Sequence, residues 1–226
     1  MKIQFLGTGA ADWPIKRKDG EKEYRHLSSA LIDGCLLIDF GPNVLDALDN
    51  CKVKQTDIKY IINTHRHADH YNEDVLKTLI AGGAEFVPFE KNEQKEIGKY
   101  TIYSFAANHS TCDGAAHFII DDGEKTVFYG LDGAWLLMSE VDAIKRFKPD
   151  VAVLDATVGD IVGDYRIFEH NNLNMVSEIK KSLEQYVGKF YISHMARTLH
   201  TNHEALAKRM ERDGVFVAYD GLTINI

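Results

Sequence analysis

The 226 residues read as an α/β protein whose sheets are covered by helices, and three observations lead there. Apolar runs of strand length alternate with longer stretches whose apolar residues recur at helical spacing. Asp33-Gly34 sits between two such runs, Ser28 to Ile32 and Cys35 to Phe40, which is a hairpin signal. Residues with ligand chemistry stand just past several runs, where their side chains can converge on one edge. Strands interspersed with helices and hairpins exclude an all-α or all-β chain.

Lys2 to Leu6 alternates into Gly7-Thr8-Gly9-Ala10-Ala11, a strand closing in a tight turn of small residues. A phosphate loop would need a following Gly-Lys-Ser/Thr, which is absent, so backbone crowding near a site explains these glycines better. Residues 14 to 26 are polar and charged and form an exposed excursion. After the hairpin, Pro42 suits the first turn of a helix running to Asn50, with Val44, Leu45 and Leu48 on one face. A strand over 58 to 63 precedes a helix from Tyr71 to Ala81, with Val75, Leu76, Leu79 and Ile80 at helical spacing. Further strands are predicted at 85 to 89, 100 to 107, 116 to 121, 125 to 130, 151 to 155, 189 to 193, 215 to 218 and 222 to 226. Helices are predicted at 136 to 147, 171 to 186 and 202 to 213, with Gly188 and Gly214 just past the ends of the last two. With no Gly/Ser linker or short repeat, residues 1 to 226 are expected to form one domain, its halves stacked as layers of a sandwich.

A hydrophobic content of 45% supports a sizeable core. The net charge of −8 offers no basic face for a nucleic-acid backbone, so long polyanions are disfavoured, although local metal charge could draw in a small anion. Cys35, Cys51 and Cys112 form no CxxC pair, which suits a reducing cytosol and argues against a cysteine-built zinc knuckle. Met1 to Gly7 is too short an apolar run for a signal peptide and no run reaches the length of a membrane span, so a cytoplasmic location without membrane attachment is expected. Nothing in the sequence sets an oligomeric state.

The chemistry concentrates in Asn63-Thr64-His65-Arg66-His67-Ala68-Asp69-His70, which packs three imidazoles and a carboxylate into six residues at a strand end. Neutral imidazole is the commonest metal ligand, and a carboxylate adds oxygen donors. His65 and His67, two apart, can face one side of an extended loop, while Asp69 and His70 are offset enough to reach a second ion. One such segment cannot complete two metal sites, and further donors do follow. His109 comes after the strand at 100 to 107, Asp132 after Val127 to Leu131, and His194 after Phe190 to Ser193. Each alone would be an ordinary polar strand end; together with the first segment they point to a metallohydrolase.

With Asp39, His65, His67, Asp69, His70, His109, Asp132 and His194 in this order, the chain resembles the metallo-β-lactamase superfamily, an αββα sandwich with a binuclear metal site on one edge. The resemblance implies that His65, His67 and His109 hold one divalent ion, that Asp69, His70 and His194 hold another, and that Asp132 bridges them. Zinc and manganese both suit this ligand set. Asp39 would support the ligand loop by hydrogen bonds. Gly7-Thr8-Gly9, Asn108-His109-Ser110, Asp155-Ala156-Thr157 and Ala218-Tyr219-Asp220-Gly221-Leu222 are similar to the phosphodiesterase branch that includes tRNase Z and PhnP-like enzymes. His170-Asn171-Asn172-Leu173-Asn174 resembles the segment that brings a non-ligand histidine to the PhnP site, with Asp155 placed to orient it. Two departures narrow the reading. Residues 11 to 26 lack the cysteines that bind a structural zinc in PhnP, and the 23 positions from His109 to Asp132 (132 − 109) leave room for a hairpin but not for a tRNA-binding arm.

The implied mechanism is attack by a metal-bridging hydroxide on a small phosphodiester, cyclic or linear. His170 acts as general acid for the leaving alkoxide, and Asp155 and Asp69 complete the catalytic set. A thioester hydrolase of the glyoxalase II kind is the enzymatic alternative, although its usual C-terminal helical domain has no room after Asp220. A binding module that keeps the fold is the non-enzymatic one, but such modules typically lose ligands that are all present here. Neither tRNA nor another long nucleic acid is an expected partner. Of the other residues, His200 and His203 are read as exposed or capping and His117 as packed. His26, beside Arg25, is a candidate for binding substrate anion, and Trp13 and Trp135 for walling the cleft or packing in the core.

Overall fold

The protein is described by a computed structural model covering residues 1–18, 20–21 and 23–226. Among the described residues there are thirteen strands and five α-helices, numbered in chain order. One sheet contains β1 (Lys2–Gly7), β2 (Ser29–Ile32), β3 (Leu36–Ile38), β4 (Tyr60–Ile62), β5 (Glu85–Phe86) and the last strand β13 (Thr223–Asn225), in the order β13-β1-β2-β3-β4-β5. The other contains β6 (Gln94–Ile97), β7 (Tyr100–Ala106), β8 (Ala116–Asp121), β9 (Thr126–Gly130), β10 (Val151–Asp155), β11 (Lys189–Ser193) and β12 (Val215–Val217), in the order β12-β11-β10-β9-β8-β7-β6. β3, β4 and β5 run parallel, as do β9 to β12, while the remaining pairings are antiparallel.

Two-residue periodicity sorts the side chains into layers, because successive strand residues point to opposite faces. Ile3, Phe5, Ile32, Leu36, Ile38 and Ile62 meet Ile102, Phe118, Ile120, Tyr129 and Val153 between the sheets. Their neighbours Leu6, Leu31, Leu37 and Ile61 point outward onto α1 (Val44–Asn50) and α2 (Glu73–Ala81). On the second sheet Ile119, Phe128, Leu154 and Ile192 point outward onto α3 (Met138–Phe147), α4 (Leu173–Leu183) and α5 (His203–Glu211). The result is helix, sheet, sheet, helix, with both faces of each sheet covered; this is why the central strands read as nearly continuous apolar runs. Each fully buried Leu, Ile or Phe contributes roughly 1.5–3 kcal/mol.

Several elements differ from expectation for identifiable reasons. The hairpin holds, with Asp33 and Gly34 both at positive φ (50° and 75°), the backbone of a type I′ turn. Pro42 precedes α1 instead of opening it. β5 stops early: the Val87 N–H still donates to Ile61 O, but Pro88 has no N–H to continue the ladder. The edge strand β6, Gln-Lys-Glu-Ile, carries no apolar run that periodicity could detect. α4 starts at Leu173 with Asn172 Oδ1 accepting from Met175 N, because Asn171 N donates instead to Asp155. Gly214 is left-handed (φ 70°), as a helix end requires, whereas Gly188 is needed for close approach, since a Cβ there would lie 2.5 Å from Asp150 O. No helix among the described residues is long and apolar enough to cross a membrane.

Candidate metal centre

The sequence-predicted site residues meet at one edge of the sandwich, beyond the carboxyl ends of β3, β4, β9, β10 and β11, where open α/β sheets place ligands. Asp39, Asp132 and His194 follow β3, β9 and β11, and all three take left-handed backbone, with φ of 62°, 59° and 62°. Such conformations cost of order 1–3 kcal/mol each and persist where the surroundings hold them. The ligand loop lies hard against the turn after β3. A Cβ on Gly41 would stand 2.0 Å from Asp69 O, and Phe40 N–H donates to His70 O at 2.9 Å.

His65, His67 and His109 bring one ring nitrogen each within 4.8 Å of one another, and Asp69, His70 and His194 do the same with a carboxylate oxygen and two nitrogens. Asp132 stands between the trios: its Oδ2 is 2.8 Å from His70 Nε2 and 3.2 Å from His194 Nε2, and it also groups with His65. His67 Nδ1 faces His109 Nε2 at 3.1 Å, and His70 Nε2 faces His194 Nε2 at 3.1 Å. A tetrahedral ion with bonds of about 2.0–2.1 Å spaces its ligands about 3.3 Å apart, so these separations suit a shared cation. The buried His65 Nε2 has no hydrogen-bond partner, and Asp132 Oδ2 makes no well-aligned hydrogen bond although it faces the ring nitrogens of His70 and His194, a costly arrangement that a cation would relieve.

Charge agrees with that fit. Burial, then the neighbouring ring of His70, push His65 down to about 2, leaving a neutral ring with a free lone pair. Burial alone would lower His194, but Asp132, Asp155 and Asp69 override it and raise the group to about 10. Asp132 and Asp69 resist the upward pull of burial and are held below the usual carboxylate range by the surrounding histidines. The cluster therefore favours positive charge at its centre, which divalent cations provide.

Outside the trios, hydrogen bonds fix which nitrogen of His65, His70 and His194 faces inward. His70 Nδ1–H donates to Asp39 Oδ2 at 2.7 Å, and His65 Nδ1–H donates to Thr64 Oγ1 at 3.0 Å, which in turn donates to Asp39. Thr64 N–H and Asn63 Nδ2–H also donate to Asp39 Oδ1. His194 Nδ1–H donates to Thr157 Oγ1 at 2.7 Å, and the Thr157 hydroxyl is 2.9 Å from Asp155 Oδ2. His170 Nδ1–H donates to Asp155 Oδ2 at 3.0 Å, while Asp155 also accepts from Asp132 N, Thr157 N and Asn171 N. Sequence reasoning missed the parts played by Thr64, Thr157 and Glu169. The threonines lie inside quoted motifs, but nothing along the chain marks Glu169.

His170 belongs to neither trio, although it groups at ligand spacing with Asp132, Asp155 and His194, its Nδ1 engaged by Asp155. It lies 3.6 Å by Nδ1 from Asp132 Oδ1 and its side chain is 16% exposed. With His67, Asp69, His109, Asp132 and His194 it lines a cavity of about 290 Å³, rimmed by Tyr165 and Arg166. Other residues stand apart. His26 pairs with Asp220 (2.9 Å) and Asn50 (3.2 Å), and Arg25 donates to Thr8 and Ala218 O, so both lock the chain's two ends together and neither lines the cavity. Trp13 is packed with its Nε1–H on Met195 O, and Trp135 lies over an apolar groove beside α3 and α4. His117 is buried between Glu140 and Leu131 O. His200 is not simply exposed, since its Nε2 reaches Ala156 O at 2.6 Å, while His203 opens α5 with Nδ1 3.1 Å from Arg25.

This architecture is that of the metallo-β-lactamase fold. The metallo-β-lactamase fold protein YhfI from Bacillus subtilis is similar over 99% of this chain and 98% of that one, with a TM-score of 0.72 and 17% identity. A diphosphatase from the PhnP family is similar over 100% and 97% of the two chains (TM-score 0.72, 18% identity). Zn(2+)-bound PqqB from Methylobacterium extorquens is similar over 100% of both (TM-score 0.74, 16% identity). A family model described as anti-Pycsar protein Apyc1 matches residues 1–73, the part that carries Asp39 and the ligand loop. No curated protein matches the chain in sequence.

Proposed function

We propose that the protein is a phosphodiesterase dependent on two divalent cations and acting on a compact phosphodiester. The observation that carries this reading is His170, an oriented histidine outside both ligand trios on the wall of the cavity they line. His65, His67 and His109 would hold one cation, Asp69, His70 and His194 the other, with Asp132 shared. Such cations supply Lewis acidity, lowering the pKa of water toward neutrality and offsetting phosphoryl charge.

The chain's own residues then handle the leaving group. Asp155 accepts the Nδ1–H of His170, which leaves Nε2 for the cavity. Burial would lower the imidazole, but the Asp155 charge and hydrogen bond outweigh it and raise His170 above its ordinary value. The protonated ring is thus favoured relative to a free imidazole and can pass its Nε2 proton to a leaving alkoxide, a poor leaving group without it. A cavity of about 290 Å³ supports a small substrate, as does the use of the residues between His109 and Asp132 for β8, β9 and their turns. Similarity to a PhnP-family diphosphatase supports phosphoryl chemistry.

The test is a panel of bis(p-nitrophenyl) phosphate, a ribose cyclic phosphate, a glutathione thioester and nitrocefin, together with metal analysis. Turnover of both diesters by wild type is the expected result, with turnover of the ribose cyclic phosphate lost in His170→Ala while bis(p-nitrophenyl) phosphate, whose phenolate leaves without a proton, is largely spared and two metals are retained. Turnover of the thioester alone would overturn the proposal, and fewer than two metals with no turnover would mark a binding module.

A further inference from the structure

In the connection from β10 to α4, residues 160–170, which carry His170, are poorly anchored by burial: Val162 is 93% exposed, Tyr165 78% and Phe168 74%. Polar fastening must therefore set its position. Asp155 holds it from beneath through His170 Nδ1 and Asn171 N. From the side, one carboxylate ties it to the loop after β7. Glu169 Oε1 accepts from Ser110 Oγ at 2.5 Å, and Oε2 accepts from Thr111 N at 3.2 Å and Thr111 Oγ1 at 3.1 Å. His109 Nδ1 lies 3.2 Å from both Glu169 O and Glu169 Oε2.

These contacts act on two functions at once. Donation from His109 Nδ1 fixes the tautomer in which Nε2 carries the lone pair, and that nitrogen faces His67 Nδ1. The residue that accepts the proton is the immediate neighbour of His170. We infer that Glu169 is a positioning residue that holds the ligand His109 and the acid His170 in register across two separate loops. The inference rests on the roles proposed above for those two histidines. An ionised carboxylate accepts on both oxygens, so the glutamine isostere, which must donate on one side, cannot reproduce the pattern.

The test uses the full chain with Glu169→Ala and Glu169→Gln. Zinc affinity, measured by competition with a chromophoric chelator, is expected to fall 10–100-fold, the usual cost of removing a ligand's orienting partner. In metal-free protein, amide exchange is expected to quicken in both 109–111 and 165–170. On the loaded enzyme, kcat for the ribose cyclic phosphate should fall about tenfold more than kcat for bis(p-nitrophenyl) phosphate, whose p-nitrophenolate leaves without a proton. Ser110→Ala with Thr111→Val removes the two hydroxyl donors from the opposite loop, leaving Thr111 N and His109 Nδ1. It should produce the same effects in smaller degree and add little to Glu169→Ala, since the two sides of one contact are not additive. Wild-type zinc affinity in Glu169→Ala, or quickened exchange confined to 165–170, would overturn the inference. Should wild type hydrolyse neither diester, the phosphodiesterase reading fails, while zinc competition and exchange still decide the role of Glu169.

Discussion

Asp39, just past β3 in one sheet, and Asp155, ending β10 in the other, hold their surroundings through the same sequence of contacts. Each carboxylate accepts directly from one histidine, His70 or His170, and reaches a second, His65 or His194, through a threonine hydroxyl, Thr64 or Thr157. The difference lies in what surrounds the directly bonded ring. His70 is sealed in a short loop with Asp69, Asp132 and His194 within 3.3 Å of its Nε2. His170 sits on a long exposed connection and opens to the cavity. In the proposed reading, one device serves a ligand where the ring is enclosed by donors and a proton donor where it reaches open space.

The largest effect should come from the residue the two halves share. Asp132→Ala is expected to lower kcat for a phosphodiester by about a thousandfold, ~4 kcal/mol of barrier at 1.36 kcal/mol per decade, with metal analysis showing fewer than two ions per chain. Next, His170→Ala should reduce turnover of an alkoxide-leaving diester by about a hundredfold or more while keeping its metals. His70→Ala should lose metal instead; equal metal loss in both variants would erase the distinction between the halves.

The carboxylates should divide along the same line. Asp39→Asn is expected to weaken zinc binding by about 10–100-fold. Asp155→Asn should show itself in the pH profile. Because His170 is raised above its ordinary value, the acid is loaded at low pH and is lost as pH rises through that raised pKa. Removing the Asp155 charge leaves burial opposed only by Asp132, so the alkaline limb of kcat should move to lower pH; a limb that stays in place would show that Asp155 does not tune the acid. The smallest effects belong to Thr64→Val and Thr157→Val, which keep both carboxylates and remove only the hydroxyl relays, each hydrogen bond lost being worth about 0.5–1.5 kcal/mol, measured as a change in zinc affinity of about tenfold or less.

Much of the site was legible along the chain because ligand chemistry is residue-specific. Few sequences place His65, His67, Asp69 and His70 together, and strand patterns locate His109, Asp132 and His194 at ends that can converge. Glu169 was not legible, since its partners Ser110, Thr111 and His109 lie about sixty positions away (169 − 109 = 60) and a glutamate in a polar loop carries no periodic signal. Arg25 and His26 misled for the opposite reason. Their chemistry suggested an anion site, but the chain's return at Asp220 and Ala218 uses it for closure.

By itself, the order of apolar runs determined the alternating layers, because period-two and helical patterns cannot bury their faces any other way, and the residue types determined that a cluster able to hold a cation forms here. Tertiary structure decided which histidine is enclosed by other donors and which faces the cavity. That choice depends on the distances and enclosure around Asp39 and Asp155, which arise only when the two sheets stack and bring their strand ends to one edge.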